Sequence, residues 1–314
     1  MKKEKYLQRG WMVALLALLC CALWGSAFPC IKIGYEMFSI PSDAAGMQIL
    51  FAGYRFTLAG ILTILFGSFL ERRILFPKRQ AIGKVWKLAM LQTVFQYVFF
   101  YIGLAHTSGV KGAIIVGTNS LAAILMASLV FHQEKLTKQK IVGCLAGLAG
   151  VIAANLNGGG IDLAVQWNGE GFVFLSVLSY ACSSAAIKKY AQTENPVMLS
   201  GYQFFTGGMI MIGCGAVMGA KALHFTPASM GMLFYLAFLS AVAYTVWGIL
   251  LKYNSVSKVT IYGFMNPVIG VLLCALLLGE GEQAFALKNV VALLLVSVGI
   301  LIVNLWNPEK KKNR

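Results

Sequence analysis

The amino-acid sequence predicts an all-α integral membrane protein with ten transmembrane helices, arranged as two inverted five-helix repeats. Three observations carry that prediction: an apolar composition, ten long runs almost free of charge, and self-similarity at an offset of about 148 residues.

Of the 314 residues, 59% are hydrophobic and 12% charged, and the mean hydropathy is +0.75. An ordinary soluble domain carries roughly 25% charged residues. A water-soluble fold could not cover so much apolar surface. The apolar runs are 16 to 24 residues long, close to the ~20 needed to cross a hydrocarbon core of ~30 Å. In order they cover 11–31, 47–70, 88–105, 112–131, 141–156, 171–187, 197–220, 229–251, 259–278 and 289–306. Most are apolar all round and lack the alternation of a membrane strand, so the backbone must satisfy its own hydrogen bonds as helix.

Charge orients the spans. With the amino terminus taken as cytoplasmic, 21 of the 26 basic residues fall on the cytoplasmic side, among them Arg9, Arg72, Arg73, Lys188, Lys189 and Lys252. Lys32, Lys111, Lys221 and Lys288 fall outside, and Arg55 lies within a span. Such an asymmetry places both termini in the cytoplasm. Basic loops held against anionic lipid also account for the net charge of +15 without a nucleic-acid partner. The first apolar run, 21 residues long, exceeds the apolar stretch of a secretory signal and reads as the first span.

The seven cysteines, Cys20, Cys21, Cys30, Cys144, Cys182, Cys214 and Cys274, all fall inside spans without metal-ligand spacing and read as small apolar core residues. His106, His132 and His224 lie in or beside loops and form no cluster. With no carboxylate or histidine cluster at one interface and no P-loop, the sequence predicts neither an enzyme nor a bound metal or cofactor.

AGYRFTLAG at 52–60 is echoed by SGYQFFTGG at 200–208, an offset of 148. Ser108, Lys111, Ile114 and Asn119 match Ser255, Lys258, Ile261 and Asn266 at 147, and Gly150 and Asn155 match Gly299 and Asn304 at 149. Glu134 matches Glu280 at 146, while Trp24 and Lys32 match Tyr180 and Lys188 at 156. Single matches between apolar helices mean little; their preserved order means more. Each unit holds an odd number of spans, so the second enters the membrane from the opposite face. The expected units are 1–156 and 171–314, joined by an external linker at 157–170. An inverted repeat of this kind is the architecture of carriers, with the substrate near the midplane between the halves.

With these residues in view the chain resembles the drug/metabolite transporter superfamily in its EamA-type branch. The resemblance runs over essentially the full length: ALWGSAFPCIK at 22–32, YRFTLAG at 54–60, YIGLAHTSGVKGAII at 101–115, Glu134 closing the fourth span, Asn266 and Pro267, and Glu280 after a Leu-rich run. It implies a bacterial inner-membrane carrier, usually an exporter of amino acids, metabolites or toxic compounds, and it implies no particular substrate. None of the eleven acidic residues lies deep in a span, which puts proton coupling through a buried carboxylate in doubt.

Arg55 is the most informative candidate, because a charge within the bilayer costs several kcal/mol unless it faces a cavity or a partner. One reading makes it a fork for a substrate carboxylate or phosphate; the other holds it against backbone carbonyls or polar neighbours, pinning the second span. Its repeat counterpart is Gln203. Gln92 and Gln96 are four residues apart and predict one polar helix face, lining a cavity or joining helices. Asn119 and Asn266 repeat each other, with Pro267 removing a backbone donor. Trp24, Tyr97, Tyr101, Tyr180, Tyr244 and Trp247 lie deep enough to wall a cage for an organic solute. Trp11, Trp86 and Trp306 read as interfacial anchors. Glu134 and Glu280 read as interfacial charges or as gate latches paired with lysines. The expected function is secondary transport of a small organic solute by alternating access, in contact with the lipid bilayer. A channel-like facilitator and a non-transporting membrane interaction protein are the rival readings. The coupling ion, and the choice between monomer and homodimer, stay open.

Overall fold

A computed structural model describes residues 6–41, 43–106, 115–155, 166–266, 268–270, 273 and 287–305. Among them every regular element is helical. Helix α1 is Gly10–Met37, α2 is Ala45–Glu71 and α3 is Arg79–Leu88; a π-helical stretch, Ala89–Phe95, joins α3 to α4, Gln96–Ala105. Helix α5, Asn119–Leu125, continues through wide turns at Met126–Val130, and α6 covers Lys138–Asn155. A π turn at Trp167–Gly171 opens α7, Phe172–Tyr190, which is followed by α8, Pro196–Val217, and α9, Pro227–Tyr253. The short α10, Val256–Thr260, passes into a 3₁₀ turn at Ile261–Phe264, and α11 is Leu287–Leu305.

Among the described residues, six helical stretches are long and apolar enough to cross a bilayer: Gly10–Met37, Ala45–Glu71, Arg79–Gly103, Trp167–Tyr190, Pro196–Val217 and Pro227–Tyr253. Asn119–Val130 and Leu294–Asn304 are shorter apolar helices. These match the first, second, third, sixth, seventh and eighth expected runs, and then the fourth and tenth. The fifth run is α6, whose first turn holds Lys138 and Lys140 and is therefore less apolar. Part of the ninth run, with Pro267, lies outside the described residues, as do most of the expected linker, Cys274, Glu280 and Trp306.

Local chemistry fixes several helix starts. The Asn195 side chain accepts from the Val197 and Met198 amides, and Pro196 in the first turn has no N–H to leave unsatisfied. Thr226 and Ser229 close a reciprocal capping box ahead of α9, again with a proline at the first position. The outer faces are apolar: Leu15, Leu65, Phe66, Phe69, Met209 and Phe234 are all exposed, as lipid-facing side chains should be. Trp11 and Trp86 are exposed near helix ends, where an indole suits the headgroup layer.

The tightest crossing joins α2 to α8, the two helices that carry the echoed nonapeptides. A Cβ on Gly60 would lie 2.7 Å from the Gly201 carbonyl oxygen and against the Phe205 backbone. A Cβ on Gly208 would lie 2.9 Å from the Gly53 carbonyl and against the Thr57 backbone. The offset of 148 carries Gly60 to Gly208, Gly53 to Gly201 and Thr57 to Phe205, so one contact maps onto the other. Helices α6 and α11 cross in a similar way, with Gly143 and Gly147 against Gly299. Small residues let the backbones approach, so Gly143 and Gly147 serve packing inside the bundle.

Candidate functional site

The crossing of α2 and α8 brings four aromatic rings together. Phe56 on α2 and Phe204 on α8 stack with centroids 5.3 Å apart and planes at 14°. Phe56 also meets Tyr97 of α4 at 4.6 Å, and Phe204 meets Tyr244 of α9 at 4.9 Å. The hydroxyls of Tyr97 and Tyr244 share a hydrogen bond of 2.8 Å. Phe56 and Phe204 are repeat counterparts at 148, and Tyr97 and Tyr244 at 147. In both pairs a residue touches its own counterpart, the arrangement expected along a two-fold axis relating two inverted halves.

The polar contacts flanking this axis obey the same relation. Arg55 is 3% exposed; its Nε donates to the Leu236 carbonyl at 3.2 Å and to Ser240 Oγ at 3.1 Å, and its Nη2 donates to Ser240 Oγ at 2.9 Å. The Ser240 hydroxyl donates in turn to the Leu236 carbonyl, which aims its lone pairs at the guanidinium. Across the axis, the Thr93 hydroxyl donates to Gln203 Oε1 at 2.7 Å. Gln203 is the counterpart of Arg55 at 148, and Ser240 that of Thr93 at 147. The guanidinium also lies over the Phe56 ring, 5.1 Å from its centroid.

Most of the side chains expected at the site gather here. Trp24 of α1 meets both Tyr244 and Trp247 edge to face at 5.0 Å. Tyr101 lies 6.3 Å from Tyr97, Tyr180 is within electrostatic reach of Tyr97 and Tyr244, and the Gln96 amide faces the Tyr244 hydroxyl. Asn119 and Asn266 sit elsewhere, at the start of α5 and just after the 3₁₀ turn. There the Ser120 hydroxyl bonds the Thr260 carbonyl at 2.7 Å. Gln92 and Gln96 do not form the regular i, i+4 face that an unbroken α-helix would give, because the π-helical turns of Ala89–Phe95 intervene. Those turns present Thr93 to Gln203.

Buried polar atoms normally find a partner, since an unpaired one costs about 1 to 3 kcal/mol. Trp24 Nε1, Gln92 Oε1, Gln96 Oε1, Asn119 Oδ1, Gln203 Nε2, Trp247 Nε1 and Asn266 Oδ1 are buried with no hydrogen-bond partner among the described residues. Seven expected site residues share this property, as do Thr57, Ser128, Gln133, Ser184 and Thr245 elsewhere in the bundle. The Tyr35 hydroxyl on α1, not foreseen from sequence, is buried beside Tyr101 and within electrostatic reach of Arg55. Ser240, Thr93, Phe56 and Phe204 were not foreseen either, although each stands at a repeat position opposite another member of the set.

A second polar cluster ties the ends of the bundle where the basic residues collect. The Glu134 carboxylate accepts from the Ser257 amide at 3.1 Å and its hydroxyl at 2.9 Å, and pairs with Lys140 at 3.5 Å. Its side chain is 4% exposed, so it is no free interfacial charge. Lys84 pairs with Glu194 at 2.6 Å, and Asn195 bonds Glu71. Beside this cluster a cavity of about 600 Å³ is lined by Lys188, Lys189, Gln192, Lys252, Asn254 and Glu134, among others. Among the described residues, no group of three His, Cys, Asp or Glu side chains could hold a metal ion.

The model of the EamA-like transporter family matches this chain twice, at residues 11–156 and 167–305. The chain belongs to that family. Its relatives include the uncharacterized transporter YvbV of Bacillus subtilis, 24% identical over 95% of this chain and 93% of that protein. They also include the uncharacterized inner membrane transporter YedA of Escherichia coli, 27% identical over 93% and 90%. A third, from Salmonella typhimurium, carries the name probable amino-acid metabolite efflux pump and is 25% identical over 91% and 93%. A crystal structure superposes with a TM-score of 0.77, covering 95% of this chain and 98% of the other at 15% identity. That likeness shows the fold. As an EamA-like protein with six apolar spans among its described residues, this chain is a multi-pass membrane transporter and not an enzyme.

Proposed function

We propose that this EamA-like transporter is a secondary carrier, in which two inverted five-helix units rock about a central site and export a small organic solute across the bacterial inner membrane. One observation carries the reading: contacts on the axis join counterpart residues, Phe56 to Phe204 and Tyr97 to Tyr244, with Arg55–Ser240 and Gln203–Thr93 exchanging across it. The double match of the family model, at 11–156 and 167–305, supports units close to 1–156 and 171–314 joined by a linker at 157–170. The charge asymmetry supports cytoplasmic termini. Export follows the names of the amino-acid metabolite efflux pumps among the relatives.

The energetics suit a rocking motion. Contacts within a unit, Phe56 on Tyr97 and Phe204 on Tyr244, travel with it. Opening the axis separates the Phe56–Phe204 stack, the edge-to-face contacts of Trp24 with Tyr244 and Trp247, and a few hydrogen bonds, each worth on the order of 1 kcal/mol. A solute that satisfies the unpartnered indole and amide groups gains comparable energy and can tip that balance.

Purified protein in liposomes containing unlabelled bacterial metabolite extract tests this reading, with uniformly ¹³C-labelled extract added outside and uptake read by mass spectrometry. A carrier takes up at least one compound above protein-free liposomes, saturably and faster when the inside is loaded. Uptake that stays linear in concentration and indifferent to loading marks a channel-like facilitator. No uptake marks a protein that does not transport.

A further inference from the structure

Within that carrier reading, we infer that Arg55 binds an anionic group of the solute and that the transported class is organic carboxylates. The counterpart pair makes the argument. Arg55 bonds Ser240, and Gln203 bonds Thr93, so both pairs tie neighbouring helices at equivalent places across the axis. A neutral amide accomplishes this on one side. Pinning therefore does not require a cation on the other, where burying one is expensive.

The surplus at Arg55 is its charge and its unused donors. No acidic side chain among the described residues pairs with it; its electrostatic neighbours are the neutral tyrosines Tyr35, Tyr97 and Tyr244. Its hydrogen bonds to described residues use Nε and Nη2 alone, which leaves Nη1 without one. A guanidinium held by one edge still offers donors from the other, in the planar geometry that a carboxylate accepts. The same cluster holds further unpartnered donors, Trp24 Nε1, Trp247 Nε1 and Gln203 Nε2. An ionised carboxylate only accepts hydrogen bonds, so it complements these donors, while the unpartnered oxygens of Gln92 and Gln96 suit a donor elsewhere on the solute. It also neutralises the buried cation, whereas a cationic solute would add to the positive charge. Aromatic walls of Trp24, Phe56 and Tyr97 suit an apolar body attached to that anion.

The test compares acids with their amides on purified protein, by thermal shift: phenylacetate with phenylacetamide, indole-3-acetate with indole-3-acetamide, and 3-phenylpropionate with its amide. In the wild type at least one acid should raise the melting temperature where its amide does not. Arg55→Lys should weaken the apparent affinity for that acid roughly tenfold or more, since the charge remains but the fork is lost. Arg55→Gln should erase the preference for acid over amide. Ser240→Ala removes two of the three hydrogen bonds that pin the guanidinium and leaves its charge, so it should lower the melting temperature but keep the preference. The inference is overturned if no acid outperforms its amide in the wild type, or if the acid preference persists in Arg55→Gln. Should Arg55→Gln fail to fold, Arg55→Lys decides: unchanged acid affinity overturns the inference, and weakened affinity upholds it. Failure of the carrier reading is seen separately, as absent uptake by proteoliposomes.

Discussion

Tyr97 and Tyr244 stand at the same position of the two repeats, and their hydroxyls hydrogen-bond each other at 2.8 Å. Counterparts related by a two-fold axis meet only beside it, so in the proposed pair of inverted units this bond lies on the axis, between α4 and α9. The proposed rocking of the two units would open this bond.

That placement gives the first prediction. Tyr97→Phe and Tyr244→Phe should each lower thermal stability by about 1 kcal/mol, and the double variant should cost scarcely more than either single one, because a single shared bond is lost. Melting temperatures of the four proteins under one ligand-free condition measure the coupling. Strict additivity would place the two hydroxyls in separate interactions.

The flanking pairs differ in charge, and so should their responses. Ser240→Ala strips a hydrogen-bond partner from a buried guanidinium and should cost on the order of 2 to 3 kcal/mol. Thr93→Val removes a neutral bond to Gln203 and should cost about 1 kcal/mol. Equal losses would mean that water already solvates Arg55.

The glycine crossing predicts symmetric damage. Gly60→Leu and Gly208→Leu each drive a side chain into the backbone of the facing helix, and both should sharply reduce the yield of folded protein. Expression and melting temperature are the readouts. Tolerance at one position with collapse at the other would contradict the exchange of contacts between α2 and α8.

Topology is tested at two exposed lysines near opposite ends of the helices. In a background lacking the native cysteines, Lys221→Cys should react with an impermeant maleimide in intact cells. Lys189→Cys should react only after permeabilisation. The reverse pattern would invert the assigned orientation.

How much of this is legible in the sequence varies with how local the signal is. Apolar runs and the AGYRFTLAG echo are local in chain position and large in contrast, so they predict the helices and the counterpart relation directly. Arg55 stands out for the same reason, as a cation in an apolar run. Its partner does not: Ser240 is an ordinary hydroxyl on an apolar helix, and only the repeat offset, which pairs it with Thr93, distinguishes it. Phe56 and Phe204 lie inside the echoed segments yet look like lipid-facing side chains until the α2–α8 crossing turns them inward. The π turns before Gln96 arise from tertiary contacts and shift a helix face that regular periodicity would predict. Glu134 reads as an interfacial charge because its partner, Ser257, lies more than a hundred residues away and no local pattern announces the bond.

Access to the axis from both faces of the membrane tests the account most directly. A single cysteine at Gln96, in a background without the seven native cysteines, can be probed with an impermeant maleimide in right-side-out and in inverted vesicles. Alternating access predicts labelling from each side in turn, and a change in the ratio of the two rates when a transported solute is added. Labelling from one side only, at a rate that transported solute leaves unchanged, would contradict a site on an axis between two rocking units.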